Sequence, residues 1–312
     1  MPSPIRRVRR LWSHRALGVA SWAEHARAVA GLRRDLDRPA RMSRGADVVL
    51  VINSFARPQN MGLICWLALR APSIRRIVIS NNDPTVDLGC CLGFDDPRLE
   101  VRRRATRRGP MARYTTAREV GGRLFLSVDD DLFLGPDQLE LLAHRLRAAP
   151  EAPHGFYGQL FRDGAFHYNR GLAEGQVDVL NRAYAFTDAH LARYFELVDA
   201  LGITRPDAVH AFTMDDVPLA FCGATRPFTH DIGPYVDCES EHDPRIAIFR
   251  KRGEHVRRAA LFRRLETVAA LPRDRFRDAP AITVSPSPRR LSLAIPYYAS
   301  GIGFVLDRLL SA

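Results

Sequence analysis

The sequence predicts an α/β domain built on a mostly parallel central sheet flanked by helices. Three observations predict it. Short apolar runs recur at residues 47–55, 75–80 and 123–128, each with the length of a strand. Helix-patterned stretches follow or separate them, the alternation that yields parallel strands joined by right-handed crossovers. Each run ends in a polar cluster, at Ser54–Arg57, Asn81–Asp83 and Asp129–Asp131, and sheets of this class bind ligands beyond the C-terminal ends of their strands.

The elements follow in order. "DVVLVINSF" (47–55) is continuously apolar until Asn53, the pattern of a strand buried on both faces. "PQNMGLICWLALRA" (58–71) opens with Pro58, whose missing N–H suits a first helical turn, and reads as a helix. "RRIVIS" (75–80) is a second strand that runs into "NND", and "LEVRRR" (99–104) is a third. "GPMARYTTAREVGG" (109–122) is a short helix closed by two glycines. "RLFLSV" (123–128) is a fourth strand, and "GPDQLELLAHRLRAA" (135–149) a helix behind it.

Charge divides the 312 residues into zones. The formal net charge is +11, and residues 1–45 hold eleven arginines against three acids, a net of +8. We read 1–45 as a basic arm whose "SWAEHARAVAGLRRDL" forms an amphipathic helix with Trp22, Ala26, Val29 and Leu32 or Leu36 near one face. Residues 46–270 are the folded body, and 271–312 a Pro- and Arg-rich linker with an apolar tail. Peripheral contact with an anionic membrane is the partner that the arm suggests, measurable by vesicle co-sedimentation. Nucleic acid is not expected, since no zinc-ligand spacing or RNP-type aromatic pattern occurs. The five cysteines are odd in number and lack CxxC spacing, which suits a reducing compartment. No run approaches the roughly 20 apolar residues of a membrane span. The expected location is therefore cytoplasmic, at most peripheral at the inner face of a membrane.

Chemistry concentrates in "SVDDDLFL", where Asp129, Asp130 and Asp131 close an apolar strand. Adjacent carboxylates repel one another and resist desolvation, so something must compensate them. A divalent cation, Mn²⁺ or Mg²⁺, takes such oxygen ligands and shares them with phosphates. A solvated acidic turn is the plainer alternative. The loop after the first strand, "NSFARPQNM", has no glycine before Gly62. This favours a transferase of nucleotide-linked sugars over a nucleotidyltransferase, which cradles a triphosphate in a glycine-rich loop.

At this level the chain resembles the exostosin family, glycosyltransferase family 64, whose catalytic domain has the GT-A fold. The resemblance rests on "SFARPQNM", "ISNND", "RGPMAR", "SVDDDLFL", "TMDDVPLAF" and "GEHVRRAALFRRL", in this order over residues 46–270. It implies that Arg57 and Arg113 contact the nucleotide and Asn82 the uridine, and that Asp129 and Asp130 bind nucleotide or sugar. It further implies that Asp131 holds the metal, that Asp216 lies beside the reacting centre, and that His255 and Arg258 close over the diphosphate. Two departures are visible. Arg108 stands where the family has asparagine, and Met214, Asp215 and Asp216 stand where it has cysteine, glutamate and aspartate.

The implied activity is transfer of a sugar, of hexosamine type such as N-acetylglucosamine, from a UDP-sugar to a glycan or glycolipid acceptor, with retention. Alternatives stay open. An inverting enzyme would use Asp216 as general base on the acceptor hydroxyl. Asp215 and Asp216 could simply cap a helix. His242 rivals His255 as a late phosphate contact. A non-enzymatic basic protein bound to a membrane surface is the reading furthest from catalysis.

Overall fold

The computed structural model describes residues 19–168, 174–203, 212–237 and 251–269. In chain order the elements begin with α1 (Val19–Leu36), β1 (Val48–Ser54), α2 (Met61–Ala68), β2 (Ile74–Asn81), α3 (Gly89–Leu92) and β3 (Leu99–Arg103). Then come α4 (Ala112–Val120), β4 (Leu124–Asp129), β5 (Leu132–Phe133), α5 (Pro136–Ala148), β6 (His154–Arg162) and β7 (Ala165–Tyr168). The chain continues through β8 (Gly175–Gln176), β9 (Val179–Thr187), α6 (Asp188–Ala200), α7 (Asp216–Leu219), β10 (Phe228–Thr229), β11 (Val236–Asp237) and α8 (Glu254–Val268).

Among the described residues, nine strands make one sheet in the order β3-β2-β1-β4-β9-β6-β10-β8, with β7 on β6. All seven residues of β1 are buried, as its unbroken apolar run requires. Alternate side chains go to opposite faces. Val48, Leu50 and Ile52 join Ile64 and Leu67 of α2 and Leu139 and Leu142 of α5 in one core. Val49 and Val51 join Tyr114 of α4, Tyr194 of α6 and Phe262 of α8 in the other. The sheet is thus covered by helices on both faces, an α/β architecture as the sequence predicts.

The parallel pattern holds for β3, β2, β1 and β4. It breaks at β9, which runs antiparallel between β4 and β6. The βα alternation ends with α5, and the chain then turns back in hairpins. Segment 58–71 is also shorter as a helix than its pattern suggests. Pro58–Asn60 form a 3-10 turn, and the α-helix proper begins at Met61. The glycine stop after α4 is real: Gly121 has φ 68° and ψ 157°, a region open essentially to glycine.

The end of the arm helix packs on the body. Ala28 is buried, and Leu32 and Leu36 lie against the first core. The Leu36 carbonyl accepts bonds from Trp66 Nε1 at 3.3 Å and Arg70 Nε at 3.2 Å. The side chains of Trp22, Ala26 and Val29 lie outside the described residues, as do residues 1–18, His242, Cys238 and the tail from residue 270 onward. Among the described residues, no helix is long and apolar enough to cross a membrane.

Three histidines are buried at the end of the sheet away from the carboxylate triplet. His154 Nε2 bonds the Ala149 carbonyl at 2.7 Å, which leaves Nδ1 to accept from His230 Nε2 at 2.8 Å. His190 Nδ1 accepts from the Thr187 amide at 3.2 Å. Burial lowers the pKa of His154 and pushes His190 and His230 down to about 4. In the unfolded chain these groups titrate near 6.5, so below that pH the unfolded state binds more protons. Their contribution to stability is complete above pH 6.5 and is lost as pH falls toward 4. The melting temperature is expected to drop by several degrees between pH 6.5 and 4, and His230→Gln to flatten the drop. Thermal unfolding across that range checks both; identical profiles for the two proteins would contradict the assignment.

Candidate active site

The parallel strands deliver the site to one edge of the sheet. Asn53 of β1 sits in register with Asp129 of β4, and Asn181 and Arg182 of the antiparallel β9 open opposite that end, one step beyond the Val128–Ala183 pair. Every member of the aspartate triplet is met by an arginine. Asp130 is tied to the first loop: Oδ1 accepts from Arg57 Nη1 at 2.8 Å, and Oδ2 from the Phe55 amide at 2.7 Å. Asn60 donates to its carbonyl at 2.7 Å. Burial pushes the Asp130 carboxyl up, against the pull of Arg57. Asp131 lies between two guanidiniums, with Oδ2 3.2 Å from Arg57 Nη2 and Oδ1 3.3 Å from Arg182 Nη2. Asp129 is the most open of the three, with its side chain 27% exposed, and accepts from Arg113 Nη1 at 2.7 Å.

Arg113, buried on α4, joins two carboxylate groups remote in sequence. Its Nη1 binds Asp129 and lies 3.3 Å from Ser127 Oγ, and its guanidinium stands over the Tyr184 ring. Its Nε lies 2.9 Å from Asp215 Oδ2, an ion pair without hydrogen-bond alignment. The helix-cap reading of Asp215 fails here, because its side chain caps no backbone amide. Burial pushes its carboxyl up to about 7; Arg113 opposes this, while the neighbouring Asp216 and Asp129 add to it.

Asp216 opens α7 and is held by two further elements. Oδ1 accepts from Arg258 Nη1 at 2.6 Å, and Oδ2 accepts from Asn181 Nδ2 at 2.6 Å and from Arg258 Nη2. Arg258 is steadied in turn by Gln159 Oε1, 3.1 Å from its Nε.

Arg57, Arg113, Asp129, Asp130, Asp131, Asp216 and Arg258 are therefore close together. Asn82 belongs to the same edge but is engaged internally. Its Nδ2 donates to Asn53 Oδ1 at 2.6 Å, and its Oδ1 accepts from Ser80 Oγ at 3.0 Å. His255 stands exposed on the first turn of α8, outside the hydrogen-bonded network. Arg108 contributes its amide, 3.4 Å from the Asn82 carbonyl. Reasoning from sequence missed Asn181, Arg182, the ion-pair role of Asp215, and Arg107, whose guanidinium stacks 4.2 Å over the Phe55 ring. A signal existed for two of these. In "VDVLNRAYAF" an Asn-Arg pair interrupts an apolar strand.

Among the described residues, no cluster of three or more His, Cys, Asp or Glu is suited to a metal. Mg²⁺ and Mn²⁺ at phosphate sites need less: one or two carboxylates, completed by phosphate and water. Asp129 and Asp131 are carboxylates of this kind, each paired with arginine.

No protein-family model matches the chain, and no curated protein does. Among solved structures it is similar to a mannosyltransferase from Pyrobaculum calidifontis in complex with GDP-Man and Mn²⁺, with 17% identity, 69% of this chain and 67% of that one covered, and a TM-score of 0.42. It is also similar to GalNAc-T7 with UDP, GalNAc and Mn²⁺, at 7% identity, 62% and 44% coverage and a TM-score of 0.47. This chain thus spans less than half of that second protein. A third is CMP:2-keto-3-deoxy-manno-octonic acid synthetase complexed with CTP, at 13% identity, 48% and 78% coverage and a TM-score of 0.34. All three fall below a TM-score of 0.5 and 25% identity, so the α/β architecture stands on its own strand order.

Proposed function

We propose that the protein is a metal-dependent glycosyltransferase of the GT-A type. It moves a sugar from a nucleoside-diphosphate sugar to a hydroxyl of a glycan or glycolipid acceptor. The donor on this reading is a UDP-sugar of hexosamine type, as the exostosin resemblance implies. One observation carries the reading: Arg113 bridges Asp129 at 2.7 Å and Asp215 at 2.9 Å. This brings the strand-end triplet beside a second acidic pair from a distant part of the chain.

The residues divide the work. Arg57, Arg113 and Arg258 put positive charge where a diphosphate would lie. Asp131 would hold the cation, with Asp129 beside it, and a bound cation would offset the negative charge of the leaving diphosphate. Asp216 faces the reacting carbon, and the fork of Arg258 holds its carboxylate in place. In a retaining enzyme that negative charge stabilises the oxocarbenium-like transition state. In an inverting enzyme Asp216 takes the proton of the acceptor hydroxyl. The resemblance favours retention.

The test is UDP binding by calorimetry with and without Mn²⁺. Mn²⁺ is expected to tighten UDP binding at least about tenfold in the wild type and not in Asp131→Asn, whose ligand has lost its charge. UDP affinity independent of Mn²⁺ in the wild type would contradict the metal role, and no UDP binding at all would return the protein to the surface-binding reading. Hydrolysis of a panel of nucleotide sugars then identifies the donor.

A further inference from the structure

Many arginines on the described surface are met by acids. Arg102 and Arg104 share Glu119, Arg145 takes Glu174, and Arg193 takes Glu196. The end of the sheet opposite the aspartate triplet is different. Residues 41–46 lead into β1 there, and the Ser43 amide donates to the Pro72 carbonyl at 2.9 Å, which ties this segment to the turn before β2. The Val48 amide then donates to the Ser73 carbonyl at 3.1 Å. Arg41, Arg44 and Arg75 are exposed on these two segments, and their side chains have no partner among the described residues. The acids beside them are already taken. Arg147 holds Asp47, and the Glu140 carboxylate accepts from the Ser73 amide and hydroxyl, each at 2.7 Å.

The backbone itself presents Arg75. β1 pairs Val48 with Ile74 and Val49 with Arg76, so Arg75 is an extra residue in β2, a bulge of the kind that re-aims a side chain. Between Arg41 and Arg44 in sequence stands Met42, 54% exposed; among the described residues Met42 and Val256 are the large apolar side chains left in water.

We propose that this end of the sheet is a face on which the protein docks to an anionic lipid bilayer. Guanidiniums with no carboxylate of their own take lipid phosphates in bidentate fashion. Each basic residue near such a surface adds to the attraction, and a flexible apolar side chain among them enters the headgroup layer. A single-stranded nucleic acid would instead stack its bases on exposed aromatic rings, and neither of the two exposed large apolar residues is aromatic. The basic arm leads directly into this segment, so its charge adds to that of the folded surface. Docked this way, the protein holds its candidate active site away from the lipid. The seven residues of β1, at about 3.3 Å each, set Ser54 roughly 20 Å from the bilayer contact.

The experiment is co-sedimentation of the full chain at low salt with vesicles of phosphatidylcholine alone and of equal parts phosphatidylcholine and phosphatidylglycerol. The variant Arg41→Gln/Arg44→Gln/Arg75→Gln is compared with Arg103→Gln/Arg193→Gln/Arg263→Gln, which loses the same charge from β3, α6 and α8. The wild type is expected to bind the anionic vesicles and not the neutral ones. The first variant should bind them at least about tenfold more weakly, and the second should stay close to the wild type. Wild-type binding by the first variant would show that the arm alone carries the contact, and overturns the docking face. Equal weakening of both variants, which reports net charge only, overturns it as well, as does a wild type that ignores anionic vesicles or prefers a single-stranded oligonucleotide to them. Amide exchange on the wild type gives a second reading that needs no variant. Vesicles are expected to slow exchange over residues 41–46 and 72–76 and leave 53–57 unchanged; slowing confined to residues 1–36 overturns the assignment.

Discussion

Asp216→Asn is expected to lower kcat by about 10²-fold or more while UDP affinity stays nearly unchanged. The substitution keeps the shape of the side chain and removes its charge. That charge interacts most strongly with the transition state, whether as stabiliser of a cationic sugar or as base. Nucleotide binding is spared because Asp216 contacts Arg258 and Asn181 and none of the triplet. Arg258 keeps its bond to Gln159 and its positive charge in the variant. Single-turnover rates with an active donor, alongside UDP titrations, decide the matter. Wild-type rates, or a loss of UDP binding that matches the loss of rate, would sink the assignment.

Arg113→Met is expected to cost about 3–5 kcal/mol of stability, because removing one member of a buried ion pair strands the rest. Here two carboxylates are stranded, Asp129 and Asp215. Arg113→Lys should recover little, since a point ammonium cannot span two carboxylates as the planar guanidinium does. The melting temperature should fall by roughly 10 °C, and UDP binding should fail with it. Thermal unfolding of both variants checks this, and a methionine variant that melts with the wild type would show that the bridge carries no stability.

The centre of the first half of the sheet was legible because β1, β4 and the end of β2 are buried on both faces, which forces unbroken apolar runs such as that of β1. The carboxylate triplet was legible because three charges after such a run have no ordinary packing explanation. The second half was not. In β9 the apolar run is interrupted by Asn181 and Arg182, and the reason is a bulge, a property of pairing with β6 that no local pattern encodes. For Asp215 a helix cap stayed open as an alternative, because its partner, Arg113, lies on α4, about a hundred residues earlier in the chain. Compensation of the triplet by arginine was likewise out of reach. Arg57, Arg113 and Arg182 come from three separate elements, and only the folded sheet sets them around one strand end.

The antiparallel β9 between β4 and β6 has a consequence for the order in which the protein is completed. A strand inserted there comes from late in the chain, so the edge that bears the triplet cannot be closed by the local βα units that precede it. Those units bring short-range contacts and form readily, whereas the pairing of β4 with β9 must first close a long loop. A nascent chain that ends before Asp215 already holds Arg57, Arg113 and Arg182 for the triplet, but lacks Asp215, the second carboxylate on Arg113. The far wall of the site, Asp215 on Arg113 and Asp216 on Arg258, is thus joined to the strand ends late in synthesis.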